Sequence, residues 1–140
     1  MTEPGRFQKW FLWILFLNLI GCAQAGPLRS SLPDTPVLFD RAWRVALDTS
    51  LNYYDRIVIE DPEAGLFQTA WTTHKVGLII GIPVRRSRLV GQVTSKAPFR
   101  MILTLEQQAF SMELGRWVSE SPDEKYFSQV VQDMSSKLQR

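Results

Sequence analysis

The sequence has very little with which to hold a metal or carry out nucleophilic chemistry. It contains one histidine, His74, and one cysteine, Cys22. A multi-histidine metal site within one chain is therefore excluded, and so is an internal disulfide. No Gly-x-Ser-x-Gly stretch marks a nucleophile elbow. No glycine-rich loop has the spacing that cradles phosphates. An excess of one charge is also missing: 16 Lys and Arg stand against 14 Asp and Glu, for a formal net charge of +2. Nucleic-acid binding wants a concentrated basic face, and this balance argues against it. Nor is there a run of the about 20 apolar residues that a membrane-spanning helix requires. The stretch from Trp10 to Gly21, "WFLWILFLNLIG", is shorter and is interrupted by Asn18.

What is present at the start is a leader. Arg6 and Lys9 precede the apolar stretch, and small residues follow it: Gly21, Cys22, Ala23, Ala25 and Gly26. A positive start, a short apolar core and a small-residue exit describe a secretory signal peptide. Within it "LIGC", Leu19 to Cys22, resembles the lipobox of bacterial lipoproteins. The resemblance implies cleavage between Gly21 and Cys22, with lipids on the Cys22 thiol and on its new amine. One acyl chain gives marginal membrane binding, whereas more than one anchors stably. Ala23 stands where an Asp would retain such a protein in the inner membrane. The resemblance therefore implies passage to the outer membrane, with the domain on its periplasmic face. The alternative is an ordinary signal peptide cleaved after Ala25.

Three regions follow from this reading. Residues 1–21 are the leader, residues 22–37 a flexible tether and residues 38–140 a single α+β domain. The tether reading rests on "CAQAGPLRSSLPDTP", rich in Pro, Ser, Gly and Ala and without apolar periodicity. Cleavage before Cys22 leaves 140 − 21 = 119 residues, the size of one small domain. Loss of Glu3, Arg6 and Lys9 lowers the formal charge from +2 to +1. With Cys22 acylated no thiol remains, so the fold must stand without disulfides.

The first helix is expected from Asp40 as its cap, or from Thr35 with Pro36 in its first turn. Its spacing puts Trp43, Leu47 and Leu51 on one face. "RIVIED", Arg56 to Asp61, and "LFQTAWTT", Leu66 to Thr73, read as two strands of a hairpin across the Asp61–Gly65 turn. Arg88 to Lys96 is a strand, and Ala97-Pro98 a turn. In Phe99 to Gln108, Phe99, Met101, Leu103 and Leu105 alternate with Arg100, Thr104 and Glu106, a period of two that marks a sheet with one covered face. Ser111 to Glu120 reads as a last strand with Met112, Leu114 and Val118 on one face. Ser121-Pro122-Asp123-Glu124 fits a capping box opening a final helix. The apolar stripe of that helix is Tyr126, Phe127, Val130, Val131, Met134 and Leu138. Strands in succession between two helices predict an antiparallel sheet of four or five strands, with both helices packed on one face.

A helix carrying "AWRVAL" (Ala42 to Leu47), then a hairpin with an acidic–Gly turn and a Trp late in its second strand ("GLFQTAW", Gly65 to Trp71), resembles a single helix-grip domain. The resemblance covers about Leu38 to Leu138. It is similar to one domain of the BamC-type lipoproteins of outer-membrane β-barrel assembly, which carry two. It implies a small domain acting as a binding or accessory module.

The candidate functional residues are few. His74, beside Thr72, Thr73 and Lys75, reads as a loop or strand-end residue. Glu60, Asp61 and Glu63 read as a solvated acidic turn, the alternative being a weak cation site. Val76 to Val84 is nearly all apolar and runs into Arg85, Arg86 and Arg88. It is either a buried strand with its arginines in solvent, or an exposed patch with a basic rim suited to a protein or an anionic lipid surface. The groove between helices and sheet is expected to be filled by Trp43, Phe99 and Phe127. The expectation is a non-enzymatic module with no catalytic residue, cofactor or metal, lipidated at Cys22 and meeting an envelope protein. The alternative is a periplasmic binder of a lipid or other small apolar ligand.

Overall fold

The period-two stretch at Phe99 forms one arm of the hairpin on which the rest of the sheet is built. In the computed structural model, residues 26–74 and 84–140 are described. Strands β1 (Leu28–Ser31), β2 (Ile57–Asp61), β3 (Leu66–Thr69), β4 (Thr72–His74), β5 (Arg85–Lys96), β6 (Phe99–Ser111) and β7 (Arg116–Glu120) are joined by helices α1 (Phe39–Leu51) and α2 (Glu124–Leu138). All strand pairs are antiparallel. The order across the sheet is β1-β6-β5-β3-β2, with β4 sharing β5 and β7 sharing β6. The fold is α+β, an antiparallel sheet with an N-terminal and a C-terminal helix.

The alternation in β6 becomes burial. Phe99, Met101, Leu103 and Leu105 are fully buried, and Leu89 and Phe67 join them from β5 and β3. Helix α1 covers them with Ala42, Trp43, Ala46 and Leu47, and α2 with Phe127, Val130, Met134 and Leu138. Trp43 meets the Phe67 ring edge-on at 5.9 Å, and Phe39 lies 6.2 Å from Phe99. Tyr53, in the turn that follows α1, meets Tyr126 of α2 edge-on at 6.0 Å. Leu51, expected on the buried face, is exposed, because α1 ends there and the chain turns away.

Several boundaries differ from the sequence expectation. Leu28–Ser31, assigned to the tether, pairs with Ile102–Leu105 of β6. Leu32 is buried beyond it, and Thr35 bridges Phe99. The alternation of Leu28, Ser30 and Leu32 with Arg29 and Ser31 explains this: three short side chains face the core and two face out. The returning arm of the first hairpin breaks at Ala70-Trp71, because β3 lies between β2 and β5 whereas β4 pairs with β5 alone. Met112 and Leu114 do not share a strand face with Val118. They sit exposed in a turn that closes at Gly115, where φ is +61°.

Both helix caps also shift. Leu38 is the cap of α1, with no side-chain hydrogen bond, and Asp40 lies inside the first turn. There its carboxylate still complements the positive end of the helix. The cap of α2 is Asp123, not Ser121: its Oδ1 accepts from the Tyr126 amide at 3.0 Å. Asp123→Ala is therefore expected to cost about 1 kcal/mol of stability, and Ser121→Ala, exposed and upstream, close to nothing. Denaturant melts of the two variants check the assignment, and equal losses would contradict it.

Candidate functional site

Register decides which side chains meet on the face opposite the helices. Opposed residues in an antiparallel ladder share a face. Arg86 stands opposite Gln108, Arg88 opposite Glu106, and Phe110 opposite Trp117. Thr72 pairs with Ser87, so Trp71, one residue earlier, comes level with Arg88. Arg86, Arg88, Trp71 and Trp117 thus converge from two strands, β5 and β7, and the approach to a third, β4.

The Arg86 guanidinium carbon lies 4.1 Å from the Trp117 ring centre and 4.7 Å from that of Trp71. Arg88 approaches Trp71 at 4.6 Å. Trp117 in turn rests edge-on against Phe110 at 5.5 Å. The electron-rich ring faces attract the guanidinium, by about 0.5–2 kcal/mol per contact depending on desolvation. The arginines also orient the polar groups beside them. Arg86 donates from Nε and Nη2 to Oε1 of Gln108, at 2.9 and 2.7 Å. Arg88 donates from Nε to Glu106 at 2.7 Å. Arg85 pairs with Glu120, whose carboxylate also accepts from Gln107 Nε2 at 2.9 Å.

The charges do not cancel. Arg88 has Glu106 and Arg85 has Glu120, but the partner of Arg86 is a neutral amide. Burial and the neighbouring charge of Arg88 lower the Arg86 pKa from its ordinary value. An arginine stays cationic through such a shift. Three of its five N–H groups have no protein acceptor among the described residues. Next to this stack an open hollow of about 270 Å³ is walled by Pro27, Trp71, Glu106, Gln108, Ser119 and Glu120. It sits where β1 and β7, which share one edge of β6, leave a gap between them. The chain enters the domain there, at Pro27.

The rest of this sheet face is more apolar. Ile59, Gln68, Val90 and Thr104 lie in one row across β2, β3, β5 and β6. Leu66, Gln92 and Ile102 lie in the next. A β-bulge between Ile57 and Ile59 turns Ile57 towards the helices and Ile59 outward, where it is exposed. No helix among the described residues packs on this face.

The other sequence candidates are placed as follows. Arg85, Arg86 and Arg88 lie on β5, hydrogen-bonded across the sheet rather than free in solvent. Val84 is exposed, and Val76 to Pro83 lie outside the described residues, as does Cys22. His74 ends β4 opposite Arg85. Asp61 accepts the Ala64 amide at 2.9 Å and so shapes its own turn. Among the described residues no three His, Cys, Asp or Glu are grouped to hold a metal ion. No helix among them is long and apolar enough to cross a membrane. Trp43, Phe99 and Phe127 are buried between helices and sheet, as the sequence led us to expect.

Trp71 and Trp117 were not legible as site residues. Each is a single tryptophan in a short strand-like stretch, and only the pairing of β4, β5, β6 and β7 brings them to Arg86. The available signal was the alternation Arg86, Arg88, Val90 on one face of β5. No protein-family model matches this chain, and no curated protein matches it in sequence.

Proposed function

We propose that this chain is a lipid-anchored, non-enzymatic binding module on the periplasmic face of the outer membrane. It would serve envelope assembly or maintenance by contact rather than by catalysis. The observation that carries the reading is the sheet face that neither helix covers. It joins an apolar half at Ile59, Leu66, Val90 and Ile102 to an aromatic and cationic half at Trp71, Arg86 and Trp117. The lipobox resemblance at Leu19 to Cys22 supports the anchor. The alternative, an apolar ligand held between helices and sheet, is disfavoured because Trp43, Phe99 and Phe127 occupy that space.

Two measurements test the proposal. The intact mass of the chain extracted from its native membrane should show a start at Cys22 with added acyl mass. A start after Ala25 without lipid would overturn the anchor. A photocrosslinking side chain placed at Ile59, on the uncovered face, should capture a defined envelope component in cells. The same group at Asp48, on the exposed side of α1, should not. Adducts from neither position, or equally from both, would overturn the assignment of the contact face.

A further inference from the structure

The tether is short. From Cys22 to Leu28, where β1 begins, there are six peptide steps. Even fully extended these reach at most about 20 Å, less than the about 25–30 Å width of a domain of this size. A domain held by lipids on Cys22 therefore keeps the corner near Pro27 within about 20 Å of the bilayer. It cannot turn its far side to the membrane, so the Pro27 corner is the part the tether presents to it.

That corner is the one that carries the tryptophan and arginine stack. Pro27 and Trp71 wall the same hollow. Trp71 lies level with Arg88 on β5, and Arg88 stands opposite Glu106 on β6, the strand that β1 joins. Neighbouring strands are about 5 Å apart, so these side chains fall within the reach of the tether. Arg29, exposed on β1 opposite Thr104, belongs to the same outward face.

We infer that the corner formed by Trp71, Arg86, Arg88 and Trp117 rests on the phospholipid headgroup layer, with Arg86 bonded to lipid phosphate. This rests on the lipidation of Cys22 proposed above. Three features of the site select a headgroup layer over an apolar or an aqueous partner. Tryptophans settle at the membrane–water interface, where one side of the ring is apolar and the other wet. Arg86 is a cation without a carboxylate partner among the described residues, with N–H groups left over for an anionic oxygen. A planar guanidinium binds phosphate through two N–H groups at once. Each basic side chain at an anionic leaflet also gains from the surface potential. Docked in this way, the apolar half of the face, from Ile59 to Ile102, stays free for the envelope partner.

The test uses the full chain, processed in a lipoprotein-producing host, purified and reconstituted in vesicles of phosphatidylethanolamine and phosphatidylglycerol. Part of the lipid carries bromine high on the acyl chain, which quenches tryptophan emission at the interface. After loss of the leader three tryptophans remain, Trp43, Trp71 and Trp117. Trp43 is buried and serves as the unquenched reference. The expected result is quenching of two of the three, lost in the Trp71→Phe/Trp117→Phe double variant and reduced in Arg86→Gln. A reporter at Asp48→Trp in the double variant should stay unquenched. The intact mass, read on the same sample, separates the two ideas. An acylated chain without quenching, or with Asp48→Trp quenched as strongly, overturns the docking and leaves the anchor standing. A chain without acyl mass overturns the anchor and the tether argument with it.

Discussion

Gly91→Ala is expected to destabilise the domain by about 1–3 kcal/mol, the ordinary cost of overpacking a core, and by the upper part of that range. Gly91 sits mid-strand on β5 directly opposite Phe67. A Cβ added there would overlap three atoms of the Phe67 ring. Phe67 is itself fully buried and held edge-on by Trp43, so the ring has nowhere to withdraw. The aromatic ring fills the place that a side chain on residue 91 would take. Phe67→Leu alone should be destabilising too, since it removes ring volume from a packed core. The double variant Gly91→Ala/Phe67→Leu should recover part of the loss, because the new methyl occupies space the ring gives up. Contacting residues commonly couple by about 0.5–3 kcal/mol. Urea or guanidinium melts of the two single variants and the double read that coupling. Strict additivity would show that the space at Gly91 is kept open for something other than the Phe67 ring.

Gly91 also illustrates what the sequence withholds. Read alone, "RLVGQVTSK" is a strand with a weak point in it, and nothing in the stretch names the ring that needs the gap. The same limit governs the candidate site. The positions of Trp71, Arg86 and Trp117 along the chain reveal no relation between them; a one-residue slip in register would send each side chain to the other face. Long-range pairing is thus the information that local pattern does not contain. Where pattern and burial coincide, local spacing is enough. The alternation Phe99, Met101, Leu103 and Leu105, and the stripe Phe127, Val130, Met134 and Leu138, both face the core as the spacing predicts. The stretch from Leu28 to Thr35 shows the opposite failure. Its proline and serine content resembles a linker, and composition masked an alternation only five residues long, Leu28 to Leu32. At the start of α2, Ser121 and Asp123 are both good caps. The Glu three residues after Ser121 favoured the wrong one, and Pro122 is buried instead of opening the helix.

Raising the pH past 10 should unfold the domain by way of its tyrosines. The chain has three, Tyr53, Tyr54 and Tyr126, and the pKa of each is raised above its ordinary value. For Tyr54 the chief cause is burial: the side chain is 2% exposed and its hydroxyl lies 3.5 Å from Ser87 Oγ. Burial also raises Tyr126, against the opposing hydrogen bond with Tyr54. Burial acts on Tyr53 too, followed by the negative charge of Asp133, with which its hydroxyl shares a 3.4 Å contact. The sign follows from which state keeps its protons. Below pH 10 both folded and unfolded chains hold all three, and stability is undiminished. Above it the unfolded chain releases protons that the folded chain retains, and stability falls until the folded values are reached. Each tyrosine so withheld removes about 1.4 kcal/mol per pH unit. Tyr54 contributes most of this effect, and Tyr53, the most solvated of the three, contributes least. Absorbance at 295 nm, followed together with far-UV circular dichroism, reads both events. Most tyrosinate signal should appear with the loss of structure, at a pH above the ordinary tyrosine midpoint. Tyr54→Phe, which has no proton to withhold, should flatten the alkaline decline. Reversible ionisation of all three tyrosines near pH 10 with the dichroism intact would mean that water reaches the Tyr54 hydroxyl, and the contact of the turn after α1 with β5 would have to be looser than the buried Tyr54–Ser87 pair implies.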